Sequence, residues 1–319
     1  MNIIFTICSV NYLAYAKTLQ QSILLHMPQV KFVYIIADKI DKSFSIENFE
    51  GVEFIEVEAL GIKELDQMVK TYNLTEFNTA IKPFAIQYLH QKFNATKFIY
   101  LDPDIIVYKN LQEIWENLDS FDFIVTPHLL EPIVSENFYA HQVGALNTGI
   151  FNLGFVALNY NQNSKKLIEW WKHHMINHGH SNSLIGEFYD QKIMNLLPIY
   201  SDKVLILKDP GYNVAGWNIH ERKISSLDGV YFVNDSPLAF YHFSGLEQND
   251  EKNLVSKYNT LKLNDYPDII DIRKQYLNSV RENNNEQLKN MKCYYSLQPD
   301  IHKTSRIEMF RIRIKNIFS

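Results

Sequence analysis

The chain has 319 residues, 46% hydrophobic and 21% charged, a globular balance that excludes a disordered or fibrous protein and fills a sizeable core in one large domain or two intimate ones. Its 31 basic and 36 acidic residues leave a net charge of −5, so the molecule as a whole offers no electrostatic footprint for nucleic acid. Two cysteines, Cys8 and Cys293, cannot build a disulfide framework, and no apolar stretch approaches the ~18 residues of a membrane span, so a cytoplasmic protein is expected.

Asn2–Cys8 reads as a buried strand, Leu13–His26 as a helix, and 32–37 and 52–57 as further strands. A helical stretch over 77–93 feeds the strand Lys97–Leu101. Beyond it lie a strand-like run at 105–108, a helix at 111–118 and a strand at 121–126. Short apolar runs alternating with helical patterns predict an α/β fold with a largely parallel sheet. The second half is less regular. Residues 148–158 predict one or two strands, 164–176 a helix with Leu167, Ile168, Trp171 and Met175 on one face, and 187–196 another helix. Residues 204–207, 230–233 and 238–243 are short strand candidates, and the polar, Asn-rich region beyond about Asp250 is expected to be helical.

Asp102-Pro103-Asp104 leaves the apolar strand Lys97–Leu101 at its carboxyl end, where open α/β sheets bind ligands. Two carboxylates one residue apart can both approach a hard divalent cation, whose oxygen shell often includes phosphate; a proline-centred turn is the plainer reading. His242-Phe243-Ser244-Gly245 ends another apolar run. An imidazole there can complete a carboxylate site for Mn²⁺, and Gly245 lets the backbone approach a phosphate, unless His242 is a satisfied core histidine. In 147–155, Asn152 and its neighbouring amides project toward hydroxyls from one strand face, with Gly154 allowing close approach. Asp190 and Gln191 open the predicted helix at 187–196, a position that N-terminal acid preference also explains. His173, His174, His178 and His180 lack the glutamate of an H-E-x-x-H site and are read as a solvated helix end. With no G-x-G-x-x-G, P-loop or G-x-S-x-G motif, a nicotinamide enzyme, an NTPase and an α/β-hydrolase are disfavoured.

Taken in order, Tyr100-Leu101-Asp102-Pro103-Asp104, Phe151-Asn152-Leu153-Gly154-Phe155, Asp190-Gln191 and His242-Phe243-Ser244-Gly245 resemble the GT-A glycosyltransferases, most of all the family 8 type, retaining enzymes that use UDP-sugars with Mn²⁺. The stretch from Asp209 to Arg222, with Trp217 and Asn218, is similar to one that recurs in bacterial polysaccharide glycosyltransferases. The resemblance covers roughly residues 1–247. It implies a Rossmann-like nucleotide-sugar half over about 1–126, an acceptor half over about 127–250, and a helical region over 251–319. It further implies Asp102, Asp104 and His242 as ligands of Mn²⁺ (or Mg²⁺), Asn152 in the sugar or acceptor pocket, Asp190 on donor hydroxyls and Gln191 near the anomeric carbon. Lys82 matches the family's basic residue ahead of the Asp motif. Leu246-Glu247-Gln248 stand where a diphosphate-contacting Lys is common, so phosphate contacts are expected partly from Lys82 or Arg222. Gly154, Trp217 and Asn218 are expected around the sugars. The implied reaction moves a hexose from a UDP-sugar to a saccharide or lipid-linked saccharide of a bacterial surface glycan, with no nucleic-acid partner. A base at Glu187 or Asp190 would make it inverting, and a non-catalytic nucleotide-sugar- or glycan-binding subunit is the other alternative.

The segment 303–319 carries five basic residues against Glu308, with Ile307, Phe310, Ile314, Ile317 and Phe318 on one helical face. That is the layout of an interfacial helix drawn to anionic lipid, so a peripheral contact with the inner face of the cell membrane is expected; docking on the core is the alternative.

Overall fold

The apolar runs become strands because their β-branched and aromatic residues are covered on both faces, as a parallel sheet requires. The computed structural model describes residues 1–40, 49, 52–247, 250, 252–254 and 261–295. The first half runs β1 (Asn2–Cys8), α1 (Leu13–His26), β2 (Lys31–Ile36), β3 (Glu53–Glu56), α2 (Leu65–Thr71), α3 (Leu74–Ala80), α4 (Lys82–Phe93), β4 (Lys97–Leu101), β5 (Ile105–Val107), α5 (Gln112–Asn117) and β6 (Phe123–Pro127). Next come α6 (Tyr139–Thr148), β7 (Phe151–Asn159), α7 (Gln162–Asn177), β8 (Ser181–Asn182), β9 (Glu187–Phe188), α8 (Leu197–Tyr200) and β10 (Val204–Ile206). The last are β11 (Ile224–Leu227), β12 (Val230–Val233), β13 (Ser236–Pro237), β14 (Phe240–His242), α9 (Pro267–Glu282) and α10 (Asn285–Leu288).

Among the described residues, seven strands form the central sheet in the order β10-β6-β7-β4-β1-β2-β3. β7 runs antiparallel to β4 and β6, and the other pairings are parallel. The expected α/β sheet is therefore present, and it runs without a break across the boundary drawn at residue 126. Successive side chains point to opposite faces. Ile4, Tyr34, Ile99 and Ala157 share one core with Leu19 and Ile23 of α1 and with Ile272 and Tyr276 of α9. Phe5, Val33, Phe98 and Val156 share the other with Ile86 and Leu89 of α4 and Trp171 of α7.

Three expectations change. The helix read at 77–93 is two helices: α3 starts at a capping box in which Asn73 and Glu76 bond each other's backbone N–H, and α4 restarts with Pro83 in its first turn, where a missing N–H is harmless. The helix read at 187–196 does not form as one. Gly186 and Tyr189 have φ of +80° and +49°, which turns the chain back as a short β8–β9 pairing before a 3₁₀ turn and α8. Finally, α6 and β11 arise where no element was expected, and β5 leaves the central sheet to pair with β14. The amphipathic segment 303–319 lies outside the described residues.

α9 is part of the main core. Its Tyr276 stacks on Phe243 with ring centroids 3.7 Å apart, directly behind the strand that carries His242, and Asn283 bonds Thr18 of α1 at 2.9 Å. The Tyr276 hydroxyl is buried with no hydrogen-bond partner among the described residues. Tyr276→Ala should therefore lower stability by about 3–5 kcal/mol, while Tyr276→Phe should match or exceed the parent protein, as read from urea midpoints.

Candidate active site

A cleft of about 580 Å³ opens at the carboxyl ends of β1, β4 and β6. Its lining includes Asn11, Tyr12, Asn78, Lys82, Asp102, Asp104, His128, Asn152, Gly154, Asp190, Gln191, Trp217, His242 and Gly245. Ligand sites of open α/β sheets sit in this crevice.

Asp102 continues β4, and its N–H donates to the Gly154 carbonyl of β7 at 2.8 Å. His242 lies 138 residues after Asp104 in sequence, but the antiparallel β5–β14 ladder sets it opposite Ile105, and the Phe243 N–H donates to the Asp104 carbonyl. His242 Nε2 then stands 3.1 Å from Asp104 Oδ1 and 3.7 Å from Asp102 Oδ2. Burial alone would depress this imidazole, but Asp104 and Asp102 outweigh it and leave it raised. Burial pushes the Asp102 carboxyl up, against the pull of Lys82 and His242. Tyr100 donates to Asp102 Oδ1 at 2.5 Å.

The ligand atoms of Asp102, Asp104 and His242 all lie within 4.8 Å of one another, the one such cluster among the described residues. Two carboxylates and an imidazole suit a divalent cation of the Mn²⁺ or Mg²⁺ kind. The tautomer is set from behind. Asn213 donates its amide to Thr126 Oγ1 at 2.8 Å and to Asn152 Oδ1 at 3.1 Å, so its Oδ1 faces His242 Nδ1 at 3.3 Å. Nδ1 then carries a proton, and Nε2 is the ring nitrogen that faces Asp104 and Asp102, where it would bond a cation once it gives up its own proton. Gly154 is the clearance for this ring: a Cβ there would sit 2.3 Å from His242 Cε1. Gly245 has φ +72°, a conformation that favours glycine.

Asp190 and Gln191 are both buried and also line the cleft. Asp190 Oδ2 accepts from Lys82 Nζ at 2.6 Å, and the same ammonium donates to the Leu153 carbonyl and lies 4.3 Å from the Tyr100 ring centroid. Burial raises the Asp190 carboxyl, with Lys82 opposing. Gln191 donates to the Thr148 carbonyl at 3.0 Å, so its Oε1 faces the Leu153 N–H and the Asn152 amide, each at 3.3 Å. The loop that carries both residues is anchored by Glu76, which accepts from the Ser181 N–H, and by the Tyr72 hydroxyl, which bonds Met175 O and Gly179 N.

Two expected residues lie elsewhere. Asn218 is fully buried, outside the cleft lining, and its amide is taken up by Ala215 N, His128 O and Asn213 O. Arg222 is buried against Glu221 and the carbonyls of Pro210 and Tyr212, so it offers nothing to a phosphate in the cleft. Lys82 reaches the cleft, but its ammonium is engaged by Asp190. Trp217 lines the cleft edge-on to His242 and His128. His174 stacks on His178, which pairs with Glu187 at 2.9 Å, consistent with a helix end.

Several lining residues were not anticipated. Ser9, Asn11 and Tyr12 follow β1, and His128 follows β6. Their position after apolar strands was the available signal. His128 is buried, which holds its imidazole down at about 4 and keeps it neutral at pH 7. Asn213 and the residues of α6 gave no such signal.

A mainly parallel sheet with a carboxylate pair and a histidine at its carboxyl edge is the architecture of a GT-A glycosyltransferase. The chain resembles the solved galactosyltransferase LgtC, crystallised with donor and acceptor sugar analogs, with a TM-score of 0.51, 16% identity, and coverage of 88% of this chain and 96% of that one. The glycosyltransferase GlyE of Streptococcus pneumoniae TIGR4 gives a TM-score of 0.52 and 17% identity over 91% of this chain and 65% of GlyE. The uncharacterised protein YfnF of Bacillus subtilis is 27% identical over 198 residues, which spans 61% of this chain and 64% of YfnF, less than two thirds of that relative's length. The model of glycosyl transferase family 8 matches residues 3–247. The chain belongs to glycosyltransferase family 8, and it is a glycosyltransferase.

The narrow fit around His242 gives a direct test. Gly154→Ala should displace the ring and lower the glycosyl-transfer rate by about 10²-fold while the far-ultraviolet dichroism stays that of the parent.

Proposed function

We propose that the chain transfers a hexosyl group from a UDP-sugar to a saccharide hydroxyl, with Mn²⁺ or Mg²⁺ held by Asp102, Asp104 and His242 and with retention of configuration. The observation that carries this reading is the convergence of those three ligand atoms in the same cleft that holds Asp190 and Gln191. Membership of family 8 supports it, and so does the likeness to LgtC, a galactosyltransferase seen with donor and acceptor sugar analogs.

A bound dication supplies positive charge for the diphosphate as it leaves. The chain's own residues do the rest. Asp102 and Asp104 orient the site, with Tyr100 pinning one Asp102 oxygen. Asp190, locked by Lys82, presents a fixed carboxylate to sugar hydroxyls. Gln191 Oε1, aimed by the Thr148 carbonyl, lends partial negative charge to the anomeric carbon as positive charge grows there. The acceptor oxygen bonds to that carbon as the bond to the diphosphate oxygen breaks, and the acceptor's proton passes to the departing phosphate. No protein base is needed on this course. An inverting course is less well served. Glu187 is outside the cleft lining, and Asp190 is committed to Lys82 at 2.6 Å, so neither is a free carboxylate facing an acceptor.

Asp102→Asn and Asp104→Asn should each lower turnover by ~10²–10³-fold or more and weaken UDP binding in the presence of Mn²⁺, measured by UDP release and calorimetry. Full activity of the double variant in EDTA would overturn the metal reading. Gln191→Ala should act differently, lowering kcat by ~10²-fold with UDP affinity unchanged, because its proposed contact is to the sugar rather than to the nucleotide. An unchanged kcat would remove it from the site.

A further inference from the structure

α6 buries only His141 among its ten residues. At about 100° per residue its sequence divides into two faces. Ala140, His141, Gly144, Ala145 and Thr148 line the cleft. On the far side Tyr139, Val143 and Leu146 recur at i, i+4 and i+7 and stand in solvent, Leu146 at 58% and Tyr139 at 51% exposure. Val134 ahead of the helix and Ile150 just after it are exposed too, as are Leu184 and Ile185 on the turn between β8 and β9, and β9 packs against α6. Single exposed apolar side chains are ordinary, but three at helical spacing on the outer face of a helix whose inner face lines a binding cleft mark an interaction site.

Charge selects the occupant. No Lys or Arg occurs between residues 110 and 164, and Lys192, beside the end of the helix, donates to the Leu146 carbonyl. Anionic lipid headgroups are drawn to clusters of basic side chains, which residues 110–164 do not supply, whereas a neutral hydrocarbon chain needs no counter-charge. The path is open as well. Ala140 and Gly144, one turn apart, form the low edge of the helix between the cleft and the Tyr139–Val143 pair, and a Cβ on Gly144 would meet nothing within 4 Å. A chain leaving the cleft over that edge arrives on Tyr139 and Val143 and then on Leu146.

We propose that the outer face of α6, with the β8–β9 turn, binds the apolar aglycone of the acceptor, a neutral alkyl chain whose sugar enters the cleft. This rests on the reading of the cleft as the site of glycosyl transfer. The test uses hexyl, octyl and decyl β-maltosides, each below its critical micelle concentration, added to the full chain with ¹³C-labelled Ile, Leu and Val methyl groups. The methyls of Val143, Leu146 and Ile150 should shift. Affinity should rise at least about threefold for each two methylenes, a fraction of the ~fifteenfold that their complete burial would give. The double variant Val143→Asn/Leu146→Asn, changed only on the exposed face, should lose this chain-length dependence and keep the parent's UDP affinity in Mn²⁺. Equal affinity for hexyl and decyl maltoside, or shifts confined to other methyls, overturns the proposal even if the variant fails to fold. A sedimenting dimer that the variant dissociates also overturns it, by assigning the face to a second copy. Absence of UDP binding to the parent protein overturns the reading of the cleft instead, whatever the maltosides do.

Discussion

The cleft is held together by one buried ion pair, between Lys82 in the first turn of α4 and Asp190 on the loop after β9. Their side chains are 1% and 2% exposed, and charge buried so far is tolerated only with a partner and further hydrogen bonds. The ammonium finds the Asp190 carboxylate, the Leu153 carbonyl of β7 and the face of Tyr100 on β4. Because these partners come from three different elements, the pair fixes α4, β4, β7 and the loop relative to one another. Removing either member would strand the other as an uncompensated buried charge, a loss of about 3–5 kcal/mol. The position of Gln191, the next residue, is therefore set by charge pairing and by its bond to the Thr148 carbonyl, with no helix to carry it.

That dependence explains what the sequence made legible. The strands and the Asp102-Pro103-Asp104 motif were readable because burial on both faces writes itself locally as apolar runs, and because the carboxylate pair leaves such a run at its carboxyl end, where open α/β sheets bind ligands. The loop at 187–192 was not. Its acid and amide fit a helix start in the local pattern, and the left-handed Tyr189 that turns Asp190 toward Lys82 is imposed by tertiary contacts. Polar residues fared unevenly for the same reason. Asn218 and Arg222 read as ligand contacts, since sequence does not tell a solvent-facing amide from one consumed by the backbone. Asn213, which orients both Asn152 and His242, carried no mark at all. α6 was missed because Gly144 and the small cleft-facing residues around it blur the helical pattern of its outer face.

The antiparallel pairs do more for the site than their length indicates. β7, inserted between β4 and β6, carries Asn152 and Gly154 up to the edge where Asp102 emerges. The short β5–β14 ladder, off the central sheet, delivers His242 to Asp104, and α9 backs it through the Phe243–Tyr276 stack. The helical C-terminal region is thus coupled to the site through the core, so a loss of packing around Tyr276 reaches the metal-type ligand set without touching it.

The electrostatics of the cleft bear on the order of events in the proposed reaction. Its lining includes three carboxylates, Asp102, Asp104 and Asp190, against one ammonium, that of Lys82, which Asp190 already engages. Arg222 is turned away, and Leu246 and Glu247 follow Gly245 where a cation would be useful. An anionic diphosphate would enter such a site against like charge. On the proposed reading the dication at Asp102, Asp104 and His242 cancels that excess of negative charge, so metal and nucleotide each raise the other's affinity by the same factor, as linkage requires. Chains of this family with an extra cation beside the diphosphate would divide that task between metal and protein. On the proposed reading the burden here falls on the metal, and the coupling between metal and nucleotide should be correspondingly steep.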